Sequence, residues 1–141
     1  MKKIALLFAG QGAQSVGMGR QIASEFPVAA ELFETADVAL GRKLSEVTWH
    51  GPIEDLTRTA NCQPALYVHG LACLAALRES AGDFPIEAVA GLSLGEWTAH
   101  AAAGTFDFAT GAAPPSSAVG SAAATGGASL PGSGPETSMA S

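Results

Sequence analysis

Ser93 sits in the pentapeptide Gly91-Leu92-Ser93-Leu94-Gly95, with Glu96 directly behind it. A serine hydroxyl can act as an acyl-transfer nucleophile when a sharp strand-to-helix turn holds it exposed. The flanking residues predict such a turn. The apolar run Ala88-Val89-Ala90 precedes it, and the helix-prone stretch Trp97 to Ala103 follows. Glycines on both sides suit a turn with strained dihedrals and little room for side chains. A helix starting at the serine would also aim free N–H groups and a positive dipole end at any anion there. In a chain with 17 glycines the pentapeptide alone is a weak signal, so its context decides.

The second chemistry-bearing segment is Phe8-Ala9-Gly10-Gln11-Gly12-Ala13-Gln14, directly after the apolar run Ile4 to Phe8. Read as a dinucleotide fingerprint it fails: position six is Ser15 and no βαβ unit of suitable length follows. Gln14 and the Gly17-Met18-Gly19 turn read as loop geometry. A lone serine also needs a base. The chain has three histidines, His50, His69 and His100. His100 lies two helical turns past Ser93, roughly 10 Å along the axis, beyond hydrogen-bond reach. His69 falls on an apolar helix and His50 in a turn, so all three are expected in structural or solvated roles. Glu96 reads as a first-turn acid favourable to the helix dipole rather than as a catalytic acid. Cys62 and Cys73 form no C-x-x-C pair and sit near no histidine cluster, which points to free thiols and no metal site.

These residues need elements to position them. A buried strand is predicted over residues 4–8, and a short helix from Gly19 to about Glu25. A stronger helix runs from Pro27 through Leu40 with Gly41 as its stop. One or two brief helices fall within residues 44–60. Asn61 is a plausible N-cap for a long helix reaching Glu79, with Leu66, Gly70, Cys73 and Leu77 on one face. A second strand over residues 85–90 leads into the Ser93 turn and the helix behind it, which stops at Gly104. Phe106-Asp107-Phe108-Ala109 looks like the capped start of one more helix. The order strand, helices, strand, turn, helix predicts an α/β fold with a parallel sheet.

At 141 residues, 48% hydrophobic and 14% charged, the chain has the make-up of one soluble globular domain. A net charge of −6 without any basic stripe excludes nucleic acid as an expected partner. The Met1-Lys2-Lys3 start is read as leading into a strand rather than a signal peptide. No apolar run approaches membrane-spanning length, so no membrane is expected as a partner, and the cytoplasm is the expected compartment.

From Ala112 to Ser141 the composition changes. All of these residues are Gly, Ala, Ser, Pro or Thr except Val119, Leu130, Glu136 and Met139, and no Lys or Arg follows Arg78. Such a segment buries too little apolar surface to offset its ordering entropy, and residues 112–141 are expected to be a disordered tail. A natural linker is one reading. The other is a frameshift product, because the break falls where a helix is starting.

The Gly10-Gln11-Gly12 loop, the Asn61-Cys62-Gln63-Pro64-Ala65 segment and Gly91-Leu92-Ser93-Leu94-Gly95-Glu96 together resemble the malonyl-CoA:acyl carrier protein transacylases over residues 1–111. These are acyltransferases of fatty acid synthesis, related to the acyltransferase domains of polyketide synthases. The resemblance implies an α/β-hydrolase-like, parallel-sheet acyltransferase core, of which residues 1–111 would be the N-terminal part and the chain a truncated version. It implies Ser93 as the nucleophile attacking malonyl-CoA, with the oxyanion held by the backbone N–H groups of Gln11 and Leu94. Gln63 would bind substrate at the edge of the site. Acyl carrier protein would receive the malonyl group, with no metal or bound cofactor. The family's base is a downstream histidine in a Gly-Asn-aromatic-His setting, and an arginine after the serine binds the malonyl carboxylate; residues 1–141 contain neither. Two other readings stand beside this one: a serine esterase or thioesterase of the α/β-hydrolase kind, and an inert truncated product.

Overall fold

The structure is a computed structural model and describes residues 2–113. The expected disordered tail therefore lies outside the described residues, apart from Ala112 and Ala113. Two strands, β1 (Ile4–Phe8) and β2 (Ile86–Gly91), pair in parallel with Leu6 opposite Val89 and Phe8 opposite Gly91. Between them run α1 (Arg20–Glu25), α2 (Pro27–Leu40), α3 (Leu44–His50), α4 (Ile53–Thr57) and α5 (Thr59–Ala81). After β2 come α6 (Leu94–Ala102) and α7 (Phe108–Ala112). The parallel α/β arrangement read from the sequence is the one observed.

Local chemistry explains most helix boundaries. Pro27 opens α2, and Gly41 closes it at φ 66°, its N–H donating to the carbonyls of Asp37 and Val38. The start of α3 has a cap from outside its own sequence. The buried Asp37 carboxylate of α2 accepts from the Ser45 N–H at 2.9 Å and the Ser45 hydroxyl at 2.6 Å. Asn61 is not the N-cap of α5, which starts two residues earlier behind Arg58. Pro64, inside that first stretch, has no N–H for the Ala60 carbonyl. Arg42 donates to that carbonyl instead, and also to the Asn61 side chain. The Asn61 amide in turn donates to the Asp55 carbonyl at 2.9 Å, so this residue ties α4 to α5. His50 ends α3 rather than sitting in a turn.

The core lies among α2, α3, α4 and α5, around Phe33, Leu44, Leu56, Tyr67 and Val68, all essentially without solvent contact. Helix α6 packs on the sheet, where Val89 is buried. The expectation of a buried first strand is corrected. Among the described residues helices cover only the Leu6 and Phe8 side, and Leu7 on the opposite face is 81% exposed. Ala5, Ala88 and Ala90 share that uncovered face.

Candidate active site

The turn between β2 and α6 places Ser93 at φ 56°, ψ −119°, the only non-glycine residue with positive φ among the described residues. An L-residue held there is strained, and such strain is concentrated at functional sites. Each glycine of the pentapeptide has a steric reason. A Cβ on Gly91 would lie 2.0 Å from the Gly95 carbonyl carbon, and one on Gly95 would lie 2.1 Å from the Phe8 carbonyl oxygen. Strand β1, the turn and the first turn of α6 therefore meet backbone to backbone. The Gly95 N–H donates to the Leu92 carbonyl at 3.0 Å and the Glu96 N–H to the Ser93 carbonyl at 3.0 Å, which closes the turn. The Ser93 side chain does not cap α6 and is exposed, so its hydroxyl is left for chemistry.

Ser93 opens onto a cavity of about 390 Å³. Leu94 and Gln63 line it as well, so three of the four residues singled out in the sequence share one site. Leu94 is the first residue of α6, where backbone N–H groups lack intrahelical partners. Gln11, the fourth, is exposed on its loop and does not line the cavity. Its loop does touch the Ser93 turn: a Cβ on Gly10 would lie 2.4 Å from the Leu92 carbonyl oxygen and 3.6 Å from the Ser93 Cβ. The loop is held by the Ala13 N–H donating to the Gly10 carbonyl and the Gly12 N–H donating to the Gln14 side chain at 2.7 Å. The Gly12 backbone also reaches the buried Cys62 thiol, whose pKa is raised by that burial. No helix begins at this loop, since α1 starts only at Arg20, which disposes of a dinucleotide fingerprint.

The sequence reading missed the cavity's aromatic wall. Tyr67 and Trp97 line it, four residues beyond Gln63 and Ser93 respectively, and that helical spacing was the available signal. Both side chains hold α7 in place. The Tyr67 hydroxyl donates to the Phe108 carbonyl and the Trp97 indole N–H to the Gly111 carbonyl, each at 3.0 Å. Tyr67 stacks on Phe108 with ring centres 5.4 Å apart, and Trp97 meets Phe106 at 4.3 Å. Gly111 fits only because it lacks a side chain, as a Cβ there would lie 2.1 Å from the Tyr67 hydroxyl oxygen. Burial pushes the Tyr67 hydroxyl's pKa well up, so at neutral pH it remains a donor.

The histidines are engaged elsewhere. His69 lies 3.5 Å from Cys73, His100 lies 3.5 Å from the Thr105 hydroxyl, and His50 approaches Glu46 at 4.0 Å. Glu96 occupies the first turn of α6. Among the described residues no cluster of three or more His, Cys, Asp or Glu side chains could hold a metal, and no helix is long and apolar enough to cross a membrane.

Residues 5–116 match the acyl transferase domain family. The chain is 46% identical over 108 residues to the malonyl CoA-acyl carrier protein transacylase of Bacillus subtilis, covering 77% of this chain and 33% of that protein. It superposes on the acyl-carrier-protein-S-malonyltransferase of Bartonella henselae with a TM-score of 0.73 at 41% identity, covering 79% of this chain and 36% of the other. A similar match, TM-score 0.74 at 36% identity over 79% and 36% of the two chains, is to a malonyl-transacylase in complex with a type II PKS acyl-carrier protein. The chain thus spans about a third of the length of the curated relatives it matches. A strained serine turn backed by a glycine loop, on a sequence that matches over most of its length, makes this chain a member of the acyl transferase domain family.

Proposed function

We propose that this chain is the nucleophile-bearing part of a malonyl-CoA:acyl carrier protein transacylase of fatty acid synthesis. The observation behind this reading is the strained, uncapped Ser93 at the mouth of a 390 Å³ cavity. Ser93 Oγ attacks the malonyl thioester carbonyl, the coenzyme A thiol departs, and the malonyl group rests on the serine as an ester. The phosphopantetheine thiol of acyl carrier protein then takes the group and frees the serine. Developing negative charge on the carbonyl oxygen is held by the backbone N–H groups of Leu94, at the start of α6, and Gln11, on the loop against Leu92. Gln63 orients the substrate at the cavity edge.

Among the described residues no histidine is placed as the base, because all three face other partners. Residues 1–111 are therefore the N-terminal part of the catalytic domain, and residues 2–113 by themselves turn over slowly or not at all. The free Cys62 and Cys73 thiols fit a reducing cytoplasm.

Incubation with malonyl-CoA followed by intact-mass measurement tests the proposal. A malonyl adduct that disappears in Ser93→Ala supports it. Labelling by simple ester probes but not by malonyl-CoA favours a hydrolase of the α/β-hydrolase kind, and no labelling by either favours an inert product.

A further inference from the structure

A second cavity, of about 300 Å³, opens between β1 and α5, away from Ser93. Its lining is apolar, mainly Leu6, Phe8, Leu66, Leu74 and Leu77, except for His69 and Cys73. These two residues are four apart on α5 and so lie on the same helical face. The Cys73 Sγ is 3.5 Å from the His69 Nε2, and both side chains are partly buried. The cavity's size is at the low end of the range for small-molecule sites, roughly 300–1,000 Å³. Burial raises the thiol's pKa and lowers the imidazole's, so at neutral pH the thiol keeps its proton and the neighbouring ring is free to accept it. Neither residue belongs to the Ser93 cavity.

We propose that Cys73 is an S-acylation site that takes an apolar acyl chain from an acyl thioester, with His69 as its base and the leucines of the cavity holding the chain. The Cys73 S–H proton passes to the His69 Nε2 as the sulfur attacks the thioester carbonyl carbon. The carbon–sulfur bond to the donor breaks, and the departing thiolate recovers the proton from His69. One thioester replaces another, so no oxidant or reductant enters. The apolar lining selects against an acyl group ending in a carboxylate, whose charge would have to be buried among leucines. This chemistry is separate from that proposed at Ser93.

The 141-residue chain carrying Ser93→Ala, incubated with octanoyl-CoA, provides the test by intact mass and peptide mapping. The expected result is one adduct on Cys73, labile to neutral hydroxylamine and absent from Cys73→Ser. In His69→Asn and His69→Gln the adduct forms at least about a hundredfold more slowly, the lower end of the range for loss of a general base. Octanoyl-CoA outruns acetyl-CoA and malonyl-CoA, because each buried methylene adds roughly fourfold. That comparison needs no variant at the site. Equal labelling of the fully buried Cys62, an unchanged rate in both His69 variants of native far-UV circular dichroism, no adduct at all, or malonyl-CoA performing as well as octanoyl-CoA overturns the proposal. Labelling that continues undiminished in urea also overturns it, since the cavity would then be irrelevant.

Discussion

The Trp97 indole N–H donates to the Gly111 carbonyl at 3.0 Å, so the helix that begins at Ser93 holds the short helix that walls its cavity. Gly111 is buried, and removing this donor leaves its carbonyl without that partner. Trp97→Phe is expected to cost about 1–3 kcal/mol, combining a buried acceptor left unpaired with lost packing on Phe106. Urea unfolding measures this. A loss below about 0.5 kcal/mol would mean that α7 does not depend on the bond.

Gly95 touches the Phe8 carbonyl, whereas nothing lies within 4 Å of a Cβ on Gly12. Gly95→Ala must therefore push β1 and α6 apart, with an expected cost of about 2 kcal/mol or more. Gly12→Ala meets only the strain of its φ of 111°, about 1 kcal/mol. The order of the two denaturation midpoints checks this reading of the turn.

The strain at Ser93 predicts a gain in stability when its side chain is lost. Ser93→Gly relieves the positive φ and should raise stability over Ser93→Ala by about 1 kcal/mol, while both variants lose the malonyl adduct. Equal stability of the two would show that the turn is relaxed with a side chain in place.

The pH response follows from His69, whose pKa burial lowers from an ordinary value near 6.5. The folded chain then binds fewer protons than the unfolded chain between the two values, so stability rises with pH across that window. Stability is full above about pH 6.5 and falls as the pH drops toward the folded value. In His69→Gln the slope between pH 7 and pH 5 should flatten. Asp107 acts lower on the scale: its carboxylate accepts from the Thr110 N–H at 2.7 Å, which holds its pKa down. That contribution disappears only as acid titrates the carboxylate.

Leu7, at 81% exposure, stands on a sheet face that no helix among the described residues covers, and a two-stranded sheet has two open edges. The purified chain is expected to self-associate through that face. Leu7→Thr should reduce its apparent mass in size-exclusion chromatography while leaving far-UV circular dichroism unchanged. A monomeric apparent mass of the unsubstituted chain at the same loading concentration would contradict this.

Elements whose boundaries depend on neighbouring residues were legible in the sequence. Pro27 and Gly41 bracket α2, and Asp107 caps α7 as its position ahead of Phe108 implied. The parallel pairing of β1 with β2 also followed from element order. Features set by distant partners were not legible. Asp37 caps α3 from another helix, and Asn61 is taken up by Arg42 and Asp55. At the site, Ser93, Leu94 and Gln63 emerged from motif and resemblance. Tyr67 and Trp97 did not, although each stands four residues beyond a site residue, because their role depends on the α7 backbone they hold.

The pairing of Ile4 with Ile86 has a consequence during synthesis. β1 leaves the ribosome about eighty residues ahead of the strand that pairs with it. At elongation rates of about 5–20 residues per second, the strand waits roughly 4–16 s unpaired. During that interval Leu6, Leu7 and Phe8 form an exposed apolar strand, a natural target for a holding chaperone. The nascent α2 and α5 can form first, because helices assemble from local contacts. Completion of β2 then commits β1 and brings the Gly10 loop against Leu92, so the Ser93 turn is assembled late.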